Sequence, residues 1–446
     1  MTADTSATST EGSAVTALLA GLDGQLPGLL ALYKDLHAHP ELSFHEFRTA
    51  KTVADRLRAQ GWEVTENIGG RKGVGDSEGI GGTGVVGVLT NGEGPVVLLR
   101  ADMDALPVEE ETGLPYASTA TGTDPDGNEV PVMHACGHDM HVACLLGATA
   151  QLAAHRDAWQ GTVLAVFQPA EEVGGAPFMV EDGFRNRFPR PDICLGQHVL
   201  PAPAGFIATR PGPTMAASDN LKVTLFGRGG HGSSPETTVD PVVMAAAVVM
   251  RLQTVVSREI GASHSAVVTV GSLHAGTKEN IIPDTAELKI NIRSTAPAVR
   301  ERILAAIERI VRAEAAASGA PKEPEFTTLT ALPLTYNDPH STALVQHVLG
   351  EVLGAGNVLT LPQPLNGTED FGTFGTALGA PSVFWQLGGA DPALFQGVTL
   401  DSLLEDGLPE GIPTNHSPHY APVPDPTLRI GVTALLAAAA HWLQGA

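Results

Sequence analysis

The chain has 446 residues, 43% of them hydrophobic, with 50 glycines and 33 prolines; that exceeds one ordinary core and implies two domains of a turn-rich α/β protein. Its formal charge of −23 excludes the basic surface that nucleic-acid phosphates reward and disfavours anionic membranes. No run approaches the ~18 uninterrupted apolar residues of a membrane span, and three cysteines make no disulfide framework.

Residues 1–12 are rich in Thr, Ser and acid and lack the basic flank and apolar segment of a secretory signal. They read as a disordered tail on a cytoplasmic protein. Leu29, Leu32, Tyr33 and Leu36 recur at helical spacing until His37-Ala38-His39-Pro40-Glu41 breaks the pattern. His37 and His39 read as a helix end rather than as ligands. A second helix carries Phe47, Ala50, Ala54 and Leu57 on one face and closes at Gly61. Strand-like runs follow at 62–66, 84–89 and 95–100, the last two joined by the turn Asn91-Gly92-Glu93-Gly94. A glycine-rich surface loop spans 69–82.

Three apolar runs then each end in candidate chemistry. Val96-Val97-Leu98-Leu99 leads to Asp102-Met103-Asp104, the run at 162–167 leads to Gln168-Pro169-Ala170-Glu171-Glu172, and that at 193–195 leads to Gly196-Gln197-His198. Open α/β sheets bind ligands beyond the carboxyl ends of their strands. These segments therefore deliver Asp102, Asp104, Glu171, Glu172 and His198 to one rim. Beside them falls His134-Ala135-Cys136-Gly137-His138-Asp139-Met140-His141, three imidazoles and a thiol ahead of a helix-like apolar run. Cys136 and His138 can turn toward one point where Gly137 relaxes the backbone, which is a metal-ligand arrangement. Cys144 and Cys194 sit in apolar runs and read as buried hydrophobes.

From about Thr214 the pattern changes. Residues 220–226 alternate like a half-exposed strand, 241–256 are helical, and 266–273 and 286–293 are strand-like. A helix from near Pro297 presents Val299, Ile303, Ile307 and Ile310 on one face and ends at Gly319, and 325–330 close the set. The order β-α-β-β-α-β is that of a ferredoxin-like unit. The expected organisation is an α/β catalytic domain in two parts, 1–213 and 333–446, around an inserted α+β domain at 214–332. After Pro333 come a helix (343–353), a strand (358–361), Gly367-Thr368-Glu369-Asp370-Phe371-Gly372 and a strand (382–386). Asn415-His416-Ser417-Pro418-His419-Tyr420 and a core helix (426–443) complete the chain.

RADMDALP (100–107), HACGHDMH (134–141), QPAEE (168–172), GQHV (196–199), GRGGHGSSP (227–235), KENIIPD (278–284), GTEDFG and NHSPHY together resemble one branch of the dinuclear zinc aminoacylase and carboxypeptidase superfamily. That branch holds hippurate hydrolases, auxin-conjugate hydrolases and bacterial N-acyl-amino-acid amidohydrolases. The resemblance covers nearly the full length. It implies a mixed-sheet, zinc-exopeptidase-like catalytic domain with a ferredoxin-like lid and dimerisation domain.

The resemblance also assigns metal ligation to Cys136, His138, Glu172, His198 and His416, with His419 a bystander. A single catalytic zinc takes about three protein ligands and keeps one position open, so five ligands imply two divalent ions sharing a bridging thiolate. Zinc suits a soft thiolate, and manganese or cobalt would also accept the other donors. Glu171 is the implied general base, and Asp104 the group that orients a ligand. Relatives use the position of His231 to hold the oxyanion, commonly reaching into a partner subunit, and that of Asn280 to help bind substrate. Arg293 is a candidate for gripping a substrate carboxylate, alongside a salt-bridge role within the lid. Other branches carry His where Asp102 stands and an acid in place of Cys136, which leaves Asp102 without an assigned role. His134 and His141 read as structural. The loops at 69–82 and 120–130 are longer than is usual among such relatives.

The expected activity is metal-dependent hydrolysis of an N-acyl-L-amino acid by a cytoplasmic homodimer. Dipeptidase or carboxypeptidase action at the same site is the nearest alternative. A catalytically inactive metal- or ligand-binding protein is the alternative from another class.

Overall fold

The computed structural model describes residues 14–70, 81–399, 402–403 and 407–443. The expected tail at 1–12 and positions 71–80 of the expected loop lie outside the described residues. The chain divides into two compact units, one of Met1–Gly212, Tyr336–Gln363 and Asp370–Ala446, the other of Pro213–Thr335 and Pro364–Glu369.

In the first unit an eight-stranded sheet runs in the order Glu63–Ile68, Gly84–Asn91, Gly161–Gln168, Val96–Asp102, Ile193–Pro203, Ser382–Ala390, Ile207–Thr209, Val358–Thr360. The four central strands, from Gly161–Gln168 to Ser382–Ala390, are mutually parallel. They are buried along most of their length, as strands covered on both faces must be, and so they read as apolar runs rather than as alternating ones. The turn at 91–94 connects two strands that do not pair. Gly161–Gln168 lies between them, antiparallel to Gly84–Asn91 and parallel to Val96–Asp102.

The helix His138–Ala154 is buried around nearly its whole circumference, so it needs no polar face. It packs against Leu22–His37 and Pro424–Leu443. The first of these begins well before Leu29, because Leu22 is buried too. The last approaches so closely that a Cβ on Gly431 would stand 2.5 Å from Cys144 Sγ and 3.0 Å from both Gln197 Nε2 and Leu387 Cδ2. Cys144 and Cys194 are both fully buried, Cys144 in this helix contact and Cys194 in the central sheet.

The second unit is a four-stranded antiparallel sheet in the order Ala266–Ala275, Thr285–Ser294, Ala217–Phe226, Glu325–Leu332. With the helices Pro241–Thr254 and Pro297–Ala317 it completes β-α-β-β-α-β, the ferredoxin-like topology. Its core alternates along the strands (Val223, Leu225; Leu288, Ile290, Ile292) and recurs at helical spacing (Val299, Ile303, Ile307, Ile310). Residues 364–369 join this unit rather than the returning first one. Ala216 N donates to Leu365 O (3.1 Å) and Gly367 O (2.9 Å), and Arg293 Nη1 donates to Asn366 O at 2.9 Å. The stretch Pro241–Glu259 is long and apolar enough to cross a membrane by length and composition, yet Met244, Ala245, Val248 and Leu252 lie in this unit's core.

Gly431→Ala tests the close helix contact. Alanine gains about 1 kcal/mol of helix propensity, but overpacking costs ~1–3 kcal/mol, so the thermal midpoint falls. In a Cys144→Ala background the same substitution recovers most of that loss.

Candidate metal centre

Three parallel strands set the site. Asp102 pairs with Gln168 and Arg100 with Gly196, so Val96–Asp102, Gly161–Gln168 and Ile193–Pro203 bring Asp102, Asp104, the 170–172 turn and His198 to one edge of the sheet. After Gln168-Pro169 the chain turns through Ala170 in the left-handed region (φ 57°, ψ 38°) and enters the short turn Glu171–Val173. The amides of Glu171 and Glu172 donate to Asp104 Oδ1 (3.0 Å) and Oδ2 (3.1 Å). Gly137 is also left-handed (φ 81°), and a Cβ there would stand 2.5 Å from Val199 Cγ1. Only glycine turns the chain from Cys136 into the helix that opens with His138. His416 N donates to Ala135 O at 2.8 Å, and Asn415 Nδ2 to Cys136 O at 3.2 Å, which fastens the distant 415–416 segment onto the thiol.

The structure gathers Cys136, His138, Glu171, Glu172, His198 and His416. In each of three overlapping sets, Cys136–His138–His198, Cys136–Glu172–His416 and His138–Glu171–Glu172, the donor atoms lie within 4.8 Å of one another. The thiol belongs to two of them. Cys136 Sγ is 3.4 Å from His198 Nε2, and His416 Nε2 is 3.3 Å from Glu172 Oε1. His198 Nδ1 donates to Val199 O at 2.8 Å, which leaves a lone pair on Nε2. His138 Nδ1 meets Asp104 Oδ1 at 3.2 Å.

Among the described residues, His138 Nε2 is buried without a hydrogen-bond partner. Buried polar atoms of that kind are costly unless something binds them. A thiol, imidazoles and carboxylates arranged in overlapping sets fit two divalent cations sharing Cys136. Burial and the negative charge of Glu172 push the Cys136 thiol up, while contacts with Cys136 and Glu172 raise His416 to about 10. Cation binding must displace those protons.

The surrounding groups are occupied otherwise. Asp102 Oδ2 accepts from Arg100 Nη1 (2.6 Å) and its Oδ1 from His141 Nδ1 (2.5 Å), and with His138 and His141 it forms a further set whose donor atoms lie within 4.8 Å of one another. Burial opposes its charge, but Arg100, His138 and His141 hold it well below the usual carboxylate range. His141 Nε2 accepts from Val199 N at 2.8 Å, which leaves the proton on Nδ1. That places His141 in a structural role, between Asp102 and the strand bearing His198. His134 is buried, and burial holds its pKa down at about 4. His419 is exposed and bonds Glu111 O at 3.0 Å, outside the cluster. Residues 120–130 fall largely in a hairpin of Thr121–Thr123 and Glu129–Pro131.

Several further buried groups brace the site, of which Glu46 carries no sequence signal that singles it out. Asp370 accepts from Gln168 Nε2 (2.8 and 2.9 Å), Ala176 N (2.8 Å) and Arg100 Nη2 (3.1 Å), anchoring the far side of the 168–176 loop. Glu46 accepts from Ala170 N at 2.8 Å. His37 lies between Asp139 Oδ2 (2.6 Å) and Glu110 Oε1 (3.1 Å), so the helix end seen in the sequence is also a charge bridge to the residue after His138.

His231, Asn280 and Arg293 belong to the second unit. His231 lies in the short strand Gly230–His231, paired with Ile281–Ile282, and Gly232 N donates to Asn280 O at 2.9 Å. Ser233 N donates to His231 Nδ1 at 3.1 Å, which leaves the ring proton on Nε2, available for donation. Arg293 makes no ion pair among the described residues; its Nη1 donates to Asn366 O (2.9 Å) and Thr368 Oγ1 (3.1 Å).

Residues 98–416 match Peptidase family M20/M25/M40. Thermostable carboxypeptidase 1 of Saccharolobus solfataricus is 37% identical over 365 residues, 81% of this chain and 85% of that protein. Hippurate hydrolase of Campylobacter jejuni is 38% identical over 342 residues, 76% of this chain and 82% of that one. The crystal structure of the Bacillus subtilis YXEP protein, described as a dinuclear metal binding peptidase, superposes with a TM-score of 0.71 at 28% identity, covering 94% of this chain and 99% of that one.

Two measurements follow from this geometry. Asp104→Ala removes the partner of His138 Nδ1 and the acceptor for two amides, so metal affinity in a chelator competition should fall ~10–100-fold. For His37, burial opposes protonation, but Asp139 and Glu110 raise its pKa from an ordinary 6.5 to about 10. Its contribution to stability is therefore complete below the unfolded value and is lost as pH rises toward 10. His37→Gln should flatten the stability profile across that window.

Proposed function

Because the chain belongs to Peptidase family M20/M25/M40, we propose that it is a metal-dependent amidohydrolase cleaving N-acyl-L-amino acids into a carboxylic acid and an amino acid. The observation that carries this reading is the convergence of a thiol, three imidazoles and two adjacent glutamates on one edge of the sheet, together with a hippurate hydrolase among the relatives. An inactive binding protein would not need Glu171 beside the ligand set.

Cys136, His138, Glu172, His198 and His416 would hold two divalent ions. When bound, these polarise the amide carbonyl and lower the pKa of a water to roughly 7. Zinc suits the thiolate. Glu171 stands on the same turn as Glu172, yet its role differs. It accepts a proton from the attacking water as the new C–O bond forms, and returns it to the amide nitrogen as the C–N bond breaks. Asp104 orients His138 and fixes both glutamate amides.

From the inserted unit, which we assign as a lid, the Nε2 proton of His231 would serve the developing oxyanion, a contribution of about 3 kcal/mol. Asn280, whose backbone lies against the His231 loop, and Arg293 would hold the amino-acid portion, Arg293 taking the carboxylate. The helix Pro241–Thr254 leaves Val243 (65%) and Met250 (72%) exposed, which supports a homodimer through this unit. A free thiol at the centre of the site favours a reducing, cytoplasmic setting.

Peptide cleavage at the same site is the second reading, favoured by the carboxypeptidase relative. Acetyl-, benzoyl- and long-chain-acyl amino acids assayed beside dipeptides on protein of measured metal content separate the two. Preferred turnover of the acyl amino acids supports the proposal, and preferred turnover of dipeptides overturns it. Glu171→Gln should lower kcat ~10²–10⁴-fold while both metals stay bound. Chelation should abolish activity, and added zinc should restore it.

A further inference from the structure

We propose that Glu46, distant in sequence from every ligand, is a positioning residue for the general base: it holds the backbone of Ala170 and so sets the direction in which the next residue, Glu171, leaves the chain. The inference rests on the reading of Glu171 as the base.

Ala170 is a non-glycine residue in the left-handed region, a conformation that costs ~1–2 kcal/mol and persists only where the surroundings hold it. What holds it is visible. Glu46 is fully buried, its Oε1 accepting from Ala170 N at 2.8 Å and its Oε2 lying 2.5 Å from Thr83 Oγ1. With the bonds from Glu171 N and Glu172 N to Asp104, three consecutive amides are donated into two buried carboxyl groups. Two adjacent side chains can diverge toward different tasks only if the backbone between them is kept from rotating.

The segment bearing Glu46 is itself braced. Ser43 Oγ donates to Asp104 Oδ2 at 2.7 Å, so residues 43–46 grip both carboxyl anchors of the turn. Leu42 forms a bridge with Ala105, and Ala105 N donates to Glu41 O at 2.8 Å. Glu41 in turn accepts from Arg48 N and Thr49 N, each at 2.9 Å. Phe44 is left-handed as well (φ 64°), and its ring packs edge-on against Phe178 with centroids 5.7 Å apart. Two non-glycine residues with positive φ, Phe44 and Ala170, thus flank the bond from Ala170 N to Glu46 in the chain, Phe44 two residues before the acceptor and Ala170 as the donor.

A backbone amide needs only an acceptor, so a buried acid here calls for a reason. Burial and the charge of Asp104 push the pKa of Glu46 up to about 8. A pKa raised in this way favours the neutral carboxyl group, which anchors the turn without adding charge beside Glu171. Glutamine reproduces that state, with a carbonyl oxygen for Ala170 N and an amide for Thr83 Oγ1.

The test uses the metal-loaded full chain and the best substrate of the panel above. Glu46→Asp withdraws the acceptor by one methylene without emptying the site. It should lower kcat about 10²-fold, the scale of a 1 Å misplacement, with KM nearly unchanged and two metals retained. Glu46→Gln should stay within about threefold of the parent. In a Glu171→Gln background, Glu46→Asp should cost nothing further, because both act through one group. Parental kcat in Glu46→Asp overturns the proposal. So does a Glu46→Gln loss equal to that of Glu46→Asp, an undiminished loss in the Glu171→Gln background, or a loss that excess metal restores. If Glu171→Gln alone keeps its activity, the assignment of the base has failed, and that result is read independently of Glu46.

Discussion

One carboxylate ties the site together. Asp104 is buried, and its two oxygens accept from His138 Nδ1, Glu171 N, Glu172 N and Ser43 Oγ. Those donors come from the start of a core helix, from the turn after a central strand, and from the loop that opens the second helix. Hydrogen bonds to a charged acceptor are roughly twice as strong as neutral ones. Four of them on one residue give three segments a common origin of coordinates. The imidazole of His138 and both glutamates are then placed relative to one another before any cation arrives, which is what a water-activating centre requires of its protein.

The departure from the wider superfamily also has a physical account. Where the resemblance implies a histidine in other branches, this chain has Asp102, and Arg100 and His141 take up its charge. Arg100 also reaches Gln168 Oε1 at 2.9 Å and Asp370 Oδ1 at 3.1 Å. This buried cation therefore balances two carboxylates at the floor of the site. His141 transmits the arrangement to Val199 N, next to His198. Asp102 is thereby part of the buried scaffold that reaches the strand bearing His198. In the proposed reading the thiol of Cys136 would supply negative charge at the centre once a cation displaces its proton.

Much of this was legible in the sequence because each central strand is buried on both faces and therefore appears as an apolar run that stops where polar chemistry begins. That rule alone sends Asp104, Glu171, Glu172 and His198 to one edge, and the resemblance adds His416 from more than two hundred positions away. The ferredoxin-like order was legible for a similar reason, since its helices and strands change period cleanly. Strand order was not. Nothing local says that Gly161–Gln168 should slip between two strands joined by a short turn, because pairing partners are chosen by contacts remote in sequence. The same limit hid the place of residues 364–369, which are held by backbone bonds to Ala216. Glu46 was invisible as well. A single acid at a helix start has no period or spacing to mark it, and its importance lies wholly in which amide it meets.

The claim on which the account depends is that Cys136 stands between two cations. The most direct measurement is anomalous diffraction at the zinc edge from crystals of the zinc-loaded protein. The account predicts two peaks, both within bonding distance of Cys136 Sγ, with His138, His198, Glu172 and His416 completing their shells. A single peak, or two peaks of which neither touches Cys136, would contradict it.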